Sequence, residues 1–155
     1  MHEFEDRHAG RLRALRAAIA TIAIATVLAL ASPALASLRG QMLDLTNDSR
    51  RAHGIHALHM DRRIAREARH HSARMARNRS LFHTPNVPRY LHGRRWHWWG
   101  ENVGFSYSED LGSLQRAFMR SAPHRRNILD PAYHRVGIGA ERRAGRVWVT
   151  LVFYG

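Results

Sequence analysis

Apolar residues recur at helical spacing where the body of the chain begins. Leu38, Met42 and Leu45 share one face with Ser49, and His53-Gly54 supplies a helix stop. Asp61 then stands as an N-cap ahead of Ile64, Ala68, His71 or Ser72, and Met75, which predicts a second helix with one buried stripe. One imidazole of the His70-His71 pair is expected to face the core with a hydrogen bond. Pro85, Pro88, Gly93 and Gly100 punctuate 84–100 and predict a loop. Val103 to Ser106 reads as a short strand. Ser108 reads as the cap of a third helix, with Glu109 and Asp110 in its first turn, Leu111, Leu114 and Phe118 on its apolar face, and Pro123 at its end. His124 to Leu129 predicts a single helical turn closed by Asp130-Pro131. The chain finishes as a hairpin: Val136 to Glu141, a turn at Arg143-Ala144-Gly145, and Arg146 to Tyr154. In that last strand Val147, Val149, Leu151 and Phe153 alternate with Trp148, Thr150 and Val152. Both faces are apolar, so the strand should be central with helices over each side. The fold class that follows is α+β in one compact unit.

The first 36 residues break this pattern. Arg7, Arg11, Arg13 and Arg16 form a basic segment, Ala17 to Ala31 is an uncharged and mostly apolar run of 15 residues, and Ala34-Leu35-Ala36 offers small residues for cleavage. A membrane span needs about 20 residues, so 1–36 is expected to be a signal peptide. The alternative is an uncleaved anchor through 17–31; either way the chain is expected to be exported, with 37–155 as its single domain. On the first reading the protein is secreted, and on the second it is held at a membrane.

Composition narrows the partners. The chain carries 25 Lys plus Arg against 12 Asp plus Glu, and every basic one is Arg. Without 1–36, which holds four Arg and three acidic residues, 21 basic and 9 acidic side chains remain. Such an excess suits an anionic envelope glycan, a lipid or an acidic protein surface. The charges are spread without a dedicated arm, and export argues against nucleic acid. Cysteine is absent, so the domain must stand on its core and any metal would have only nitrogen and oxygen ligands.

Candidate chemistry gathers in three motifs: Leu81-Phe82-His83-Thr84-Pro85, Gly100-Glu101-Asn102-Val103, and His124-Arg125-Arg126-Asn127-Ile128-Leu129. Two imidazoles and a carboxylate are what a divalent cation such as zinc requires, with a position left for water. Glu101 alternatively orients a histidine as general base, or bonds backbone amides and pins a loop. His53, His56 and His59 are spaced by threes, but on a surface connection this reads as chance. Trp96, Trp98 and Trp99 are expected to be buried as a wall before Glu101. No nucleophile elbow, P-loop, dinucleotide-binding glycine pattern or His-Glu-x-x-His motif is present.

These motifs, with Leu45-Thr46-Asn47-Asp48-Ser49-Arg50, Ala68 to Met75, Ser121-Ala122-Pro123, Val136-Gly137-Ile138-Gly139 and Trp148 to Gly155, resemble the CAP superfamily (cysteine-rich secretory, antigen 5 and pathogenesis-related proteins), in its cysteine-free bacterial type. The resemblance covers nearly all of 38–155. It implies a three-layer α-β-α sandwich with a small, mainly antiparallel sheet, and a groove that in some members binds a divalent cation. His83 and His124 match the groove histidines and Glu101 the glutamate of the Gly-Glu-Asn motif, with Asn102, Ser121 and Asn127 as its support. Asn127 resembles an asparagine that bonds backbone near the groove. Eukaryotic members carry a second glutamate one turn after a tryptophan; Phe118 and Ser121 stand at those positions here. The function expected is therefore a binding or structural module at the cell envelope. The alternative is a metal-dependent hydrolase of peptide or cell-wall substrates, with Glu101 as base.

Overall fold

The computed structural model describes residues 38–155, so the leader expected over 1–36 lies outside the described residues. Helix α1 covers 38–51, followed by β1 (His59–Met60), α2 (Arg62–Asn78), α3 (Val87–Leu91), β2 (Trp99–Ser106), α4 (Gly112–Arg120), α5 (Ala122–Leu129), β3 (Arg135–Arg143) and β4 (Arg146–Tyr154). The sheet runs β1-β3-β4-β2, with β1 parallel to β3 and the other pairs antiparallel. β4 is central, as its two apolar faces require, and β2 is an edge.

Strand alternation sorts the layers. Val103, Trp148, Thr150, Val152 and Tyr154 face α2 and α3: Ile64, Ala68, Val87 and Leu91 pack with Val152 and Tyr154, and Met75 and Ala76 with Val103 and Trp148. Ser72 Oγ lies within hydrogen-bond distance of both the Gly139 carbonyl and Thr150 Oγ1. A methyl group at Gly139 would run into the backbone of Ala68 and Arg69, so glycine there lets α2 lie flat on the sheet. The other face carries α4 and α5, tied to α1. Fully buried Arg50 donates to the carbonyls of His56, Ile128, Asp130 and Tyr133, and Asn47 bonds both the N–H and C=O of Leu58. The outcome is the α-β-α sandwich expected.

Four local expectations are corrected. The stretch 84–100 is not all loop: Asn86 Oδ1 accepts from Arg89 N and Pro88 fills the first turn, so α3 forms there. β2 begins at Trp99, four residues before Val103, and thereby includes Glu101. Ser108 caps no helix; its Oγ accepts from Asp110 N, and Asp110 Oδ1 accepts from Gly112 N, so 108–112 is a pair of side-chain turns and α4 starts only at Gly112. Pro123 opens α5 rather than closing α4, since a proline in the first turn has no amide to waste, and α5 runs eight residues rather than one turn.

Candidate functional site

The site is built on the edge strand. Glu101 lies on the α2 side of β2, and its side chain is only 3% exposed. Its carboxylate is fully engaged: Oε2 accepts from Thr84 N (2.8 Å) and His83 Nδ1 (2.9 Å), and Oε1 accepts from Thr84 Oγ1 (2.6 Å). One buried acid thus pins the loop after α2 and orients an imidazole. Because a carboxylate accepts, His83 donates from Nδ1, which leaves Nε2 free of this bond. That ring is 63% exposed, so the free nitrogen belongs to an accessible, oriented group.

The loop is also held from beneath. His71, fully buried on α2, donates from Nε2 to the Phe82 carbonyl at 2.8 Å, while Arg74 donates to His71 Nδ1 at 2.9 Å. Burial pushes His71 below the usual histidine range, with the charges of Arg74 and His83 acting in the same direction against the Phe82 carbonyl and Glu101. His71 is the core-facing member of the histidine pair, as expected, and His70 is exposed.

The opposite layer supplies the remaining groups. Asn102 points to the α5 side, where its Nδ2 donates to the His124 carbonyl at 3.0 Å. Asn127 Nδ2 donates to Asn102 Oδ1 at 2.9 Å and to the Glu101 carbonyl at 3.2 Å. Gly100 makes room for this clamp, since a Cβ there would sit 2.6 Å from Asn127 Oδ1. Ser121 joins α4 to α5 through backbone bonds alone: its N–H donates to Ala117 and Phe118 carbonyls, and its own carbonyl accepts from Arg125 N. The His124 ring packs on Phe118 at 4.9 Å. Burial, and then the charge of nearby His83, lower its pKa. His83 is near enough for its charge to reach His124, and its own Nδ1 is held by Glu101.

Among the described residues no group of three or more His, Asp or Glu is arranged to hold a metal ion. Glu101 is spent on Thr84 and His83, which leaves two imidazoles as available ligands. Thr84 is the residue that the motif reading missed; it gives Glu101 two of its three close hydrogen bonds. Trp98 and Trp99 correct the expectation of burial, at 65% and 42% exposed, while Trp96 does pack against the core. The three spaced histidines disperse: His53 Nδ1 donates to the Ser49 carbonyl, His56 stacks on His134 at 4.4 Å, and His59 lies on β1.

Residues 43–153 match the model of the Cysteine-rich secretory protein family, CAP. A curated relative, the uncharacterized membrane protein YlbC of Bacillus subtilis, is 29% identical over 109 residues, which make up 66% of this chain and 31% of that protein. An extracellular protein containing a SCP domain from Bacillus anthracis superposes with a TM-score of 0.65 at 26% identity, over 76% of this chain and 40% of that one. A cysteine-rich secretory protein from Staphylococcus aureus has a TM-score of 0.61 at 21% identity, over 79% and 38%. An outer surface protein of Borrelia burgdorferi has a TM-score of 0.61 at 14% identity, over 73% and 88%. The last two show the fold alone. The chain spans less than half the length of the Bacillus relatives it matches.

Proposed function

Because this chain belongs to the cysteine-rich secretory protein (CAP) family over residues 43–153, we propose that it is an exported binding or structural module of the cell envelope. Its ligand-facing feature is the groove between His83 and His124. Export is supported by the basic-then-apolar leader pattern in 1–36 and by the similarity to an extracellular protein of Bacillus anthracis. The observation that carries the binding reading is the division of labour at Glu101. A buried acid whose oxygens are already occupied holds an exposed imidazole in one orientation, as a recognition site needs.

A second reading, a divalent cation such as zinc on His83 and His124, draws support from the same bond. Ligating histidines commonly donate their other ring N–H to a carboxylate. Two imidazoles supply fewer protein ligands than a closed zinc site has, so such an ion would keep several waters and exchange readily. Hydrolysis with Glu101 as general base fits less well, since a base must reach the proton it takes and this carboxylate is already committed to Thr84.

Co-sedimentation of the purified full chain with isolated cell-envelope fragments tests the main reading; a chain that stays in the supernatant overturns it. Metal analysis after zinc exposure tests the second. Wild type is expected to retain zinc that His83→Ala and His124→Ala both lose, and equal zinc in all three removes the site.

A further inference from the structure

Away from the groove, the registers of the sheet line up a second set of side chains. Arg135 pairs with Tyr154 across β3 and β4, and Trp99 pairs with Tyr154 across β2 and β4. Directly paired residues of antiparallel strands project to the same face. Arg135, Tyr154 and Trp99 therefore form a row of guanidinium, phenol and indole, about 10 Å from end to end at ordinary strand spacing. An open pocket of about 420 Å³ adjoins this row, lined by Asp61, Arg94, Arg95, Arg135 and Tyr154.

The charge in that pocket is positive. Asp61 is consumed by five hydrogen bonds, from Arg63 N, Ile64 N, Arg94 Nε, an Arg94 terminal nitrogen and Tyr154 Oη. Arg95 and Arg135 are exposed and have no acidic partner among the described residues. The Trp99 indole beside it is presented on fixed backbone. Trp98 exchanges hydrogen bonds with Gly155 in both directions (3.0 and 3.1 Å), His97 N donates to the same carbonyl, and Trp99 is held in the ladder with Tyr154. Exposing a large aromatic side chain from so rigid a frame loses its burial energy without gaining flexibility. A binding platform accounts for that arrangement.

We propose that Trp99, Arg95 and Arg135 form a binding surface for an anionic glycan, with a sugar ring stacking on the indole and carboxylate or phosphate groups bonding the free guanidiniums. The inference rests on the envelope-binding reading above and names a partner chemistry for it. A lipid surface fits less well, because the ground beside Arg95 and Arg135 is a polar pocket rather than a flat apolar face. Stacking on an indole suits a sugar, and a fork of guanidinium donors suits a planar acid.

Calorimetric titration of the full chain with hexagalacturonate, with neutral maltohexaose and with phosphatidylglycerol vesicles tests the proposal. The acidic hexamer is expected to bind, and the neutral one at least about tenfold more weakly. Trp99→Ala and Arg135→Gln should each lower affinity for the acid about tenfold, equivalent to about 1.4 kcal/mol. Arg126→Gln, on α5 and outside this pocket, should leave it unchanged. Absence of binding to the hexamer overturns the proposal. So does an equal loss in Arg126→Gln with none in Trp99→Ala, which is charge alone, and so does tighter binding to vesicles. Envelope co-sedimentation of Trp99→Ala separates the two levels. If wild type and Trp99→Ala sediment equally, this surface fails while the module reading stands; if neither sediments, the module reading itself fails.

Discussion

At the scale of single residues, Glu101 and His83 share a hydrogen bond but have opposite relations to stability. Glu101→Ala would strand the buried Thr84 N–H and its hydroxyl, and each buried donor left without an acceptor costs about 1–3 kcal/mol. His83→Ala removes an exposed ring and leaves the Glu101–Thr84 bonds intact. Chemical denaturation is expected to show a loss of about 3 kcal/mol for Glu101→Ala and under about 1 kcal/mol for His83→Ala. Equal losses would mean that Glu101 does not pin the loop. This asymmetry was half legible in the sequence. Phe82-His83-Thr84 and Gly100-Glu101-Asn102 announce an imidazole and a carboxylate, and Gly100 before Glu101 hints at close packing. Nothing in the spacing reveals that Thr84 rather than a metal ion occupies the acid, because that depends on an approach between residues 17 apart in the chain. The exposure of Trp98 and Trp99 was hidden for a related reason. Aromatic residues usually gain by burial, and only the position of β2 at an edge of the sheet, with Trp98 just before its first residue, overrides that preference.

At the scale of elements, most of the architecture could be read from periodicity, and the failures fall at helix ends. α2 and the β3–β4 hairpin are long, strongly patterned and flanked by clear signals at Asp61 and Ala144-Gly145. α3 was obscured because its five residues are too few for a period to show. Ser108 and Asp110 misled because a side chain that caps a helix also closes an isolated turn. Asp61 does more than cap. Burial would raise its pKa, but bonds from Arg94, Tyr154 and the Ile64 and Arg63 amides overcome this and hold the carboxyl well below the usual range. Burial, with Asp61 beside it, pushes Tyr154 up to about 12. The signs follow from linkage. A depressed acid stabilises the fold above its unfolded pKa of about 3.9, and that contribution is lost as pH falls through the folded value. A raised phenol stabilises below about 10, and its contribution is lost as pH climbs toward about 12. Denaturation profiles across pH should therefore steepen at both extremes in wild type. Tyr154→Phe should lose less stability above about pH 10; an unchanged alkaline limb would show that Tyr154 carries no such linkage.

At the scale of the whole molecule, charge is the property that neither the core nor the groove explains. The chain carries 25 basic against 12 acidic side chains, yet among the described residues only Arg51–Asp48, Arg94–Asp61 and Arg142–Glu109 form arginine–carboxylate pairs. Two of these involve a carboxylate that is about two-thirds exposed, where such pairs contribute little. Mutual repulsion among the remaining guanidiniums should outweigh the attraction in those pairs, and salt screens both. Raising ionic strength from about 10 mM to about 150 mM shortens the screening length from about 30 Å to about 8 Å, so distant repulsions fade while the close, half-buried Arg94–Asp61 contact is less affected. The melting temperature is accordingly expected to rise by about 3 °C or more, a shift that corresponds to roughly 1 kcal/mol in a domain of this size. A melting temperature that falls with salt would mean that ion pairs, not repulsion, dominate the surface. The same test bears on function. If stability climbs with salt as envelope binding weakens, the charge that strains the free fold is relieved by an anionic partner, which gives an Arg-rich surface of this kind a reason to exist on the binding module proposed above.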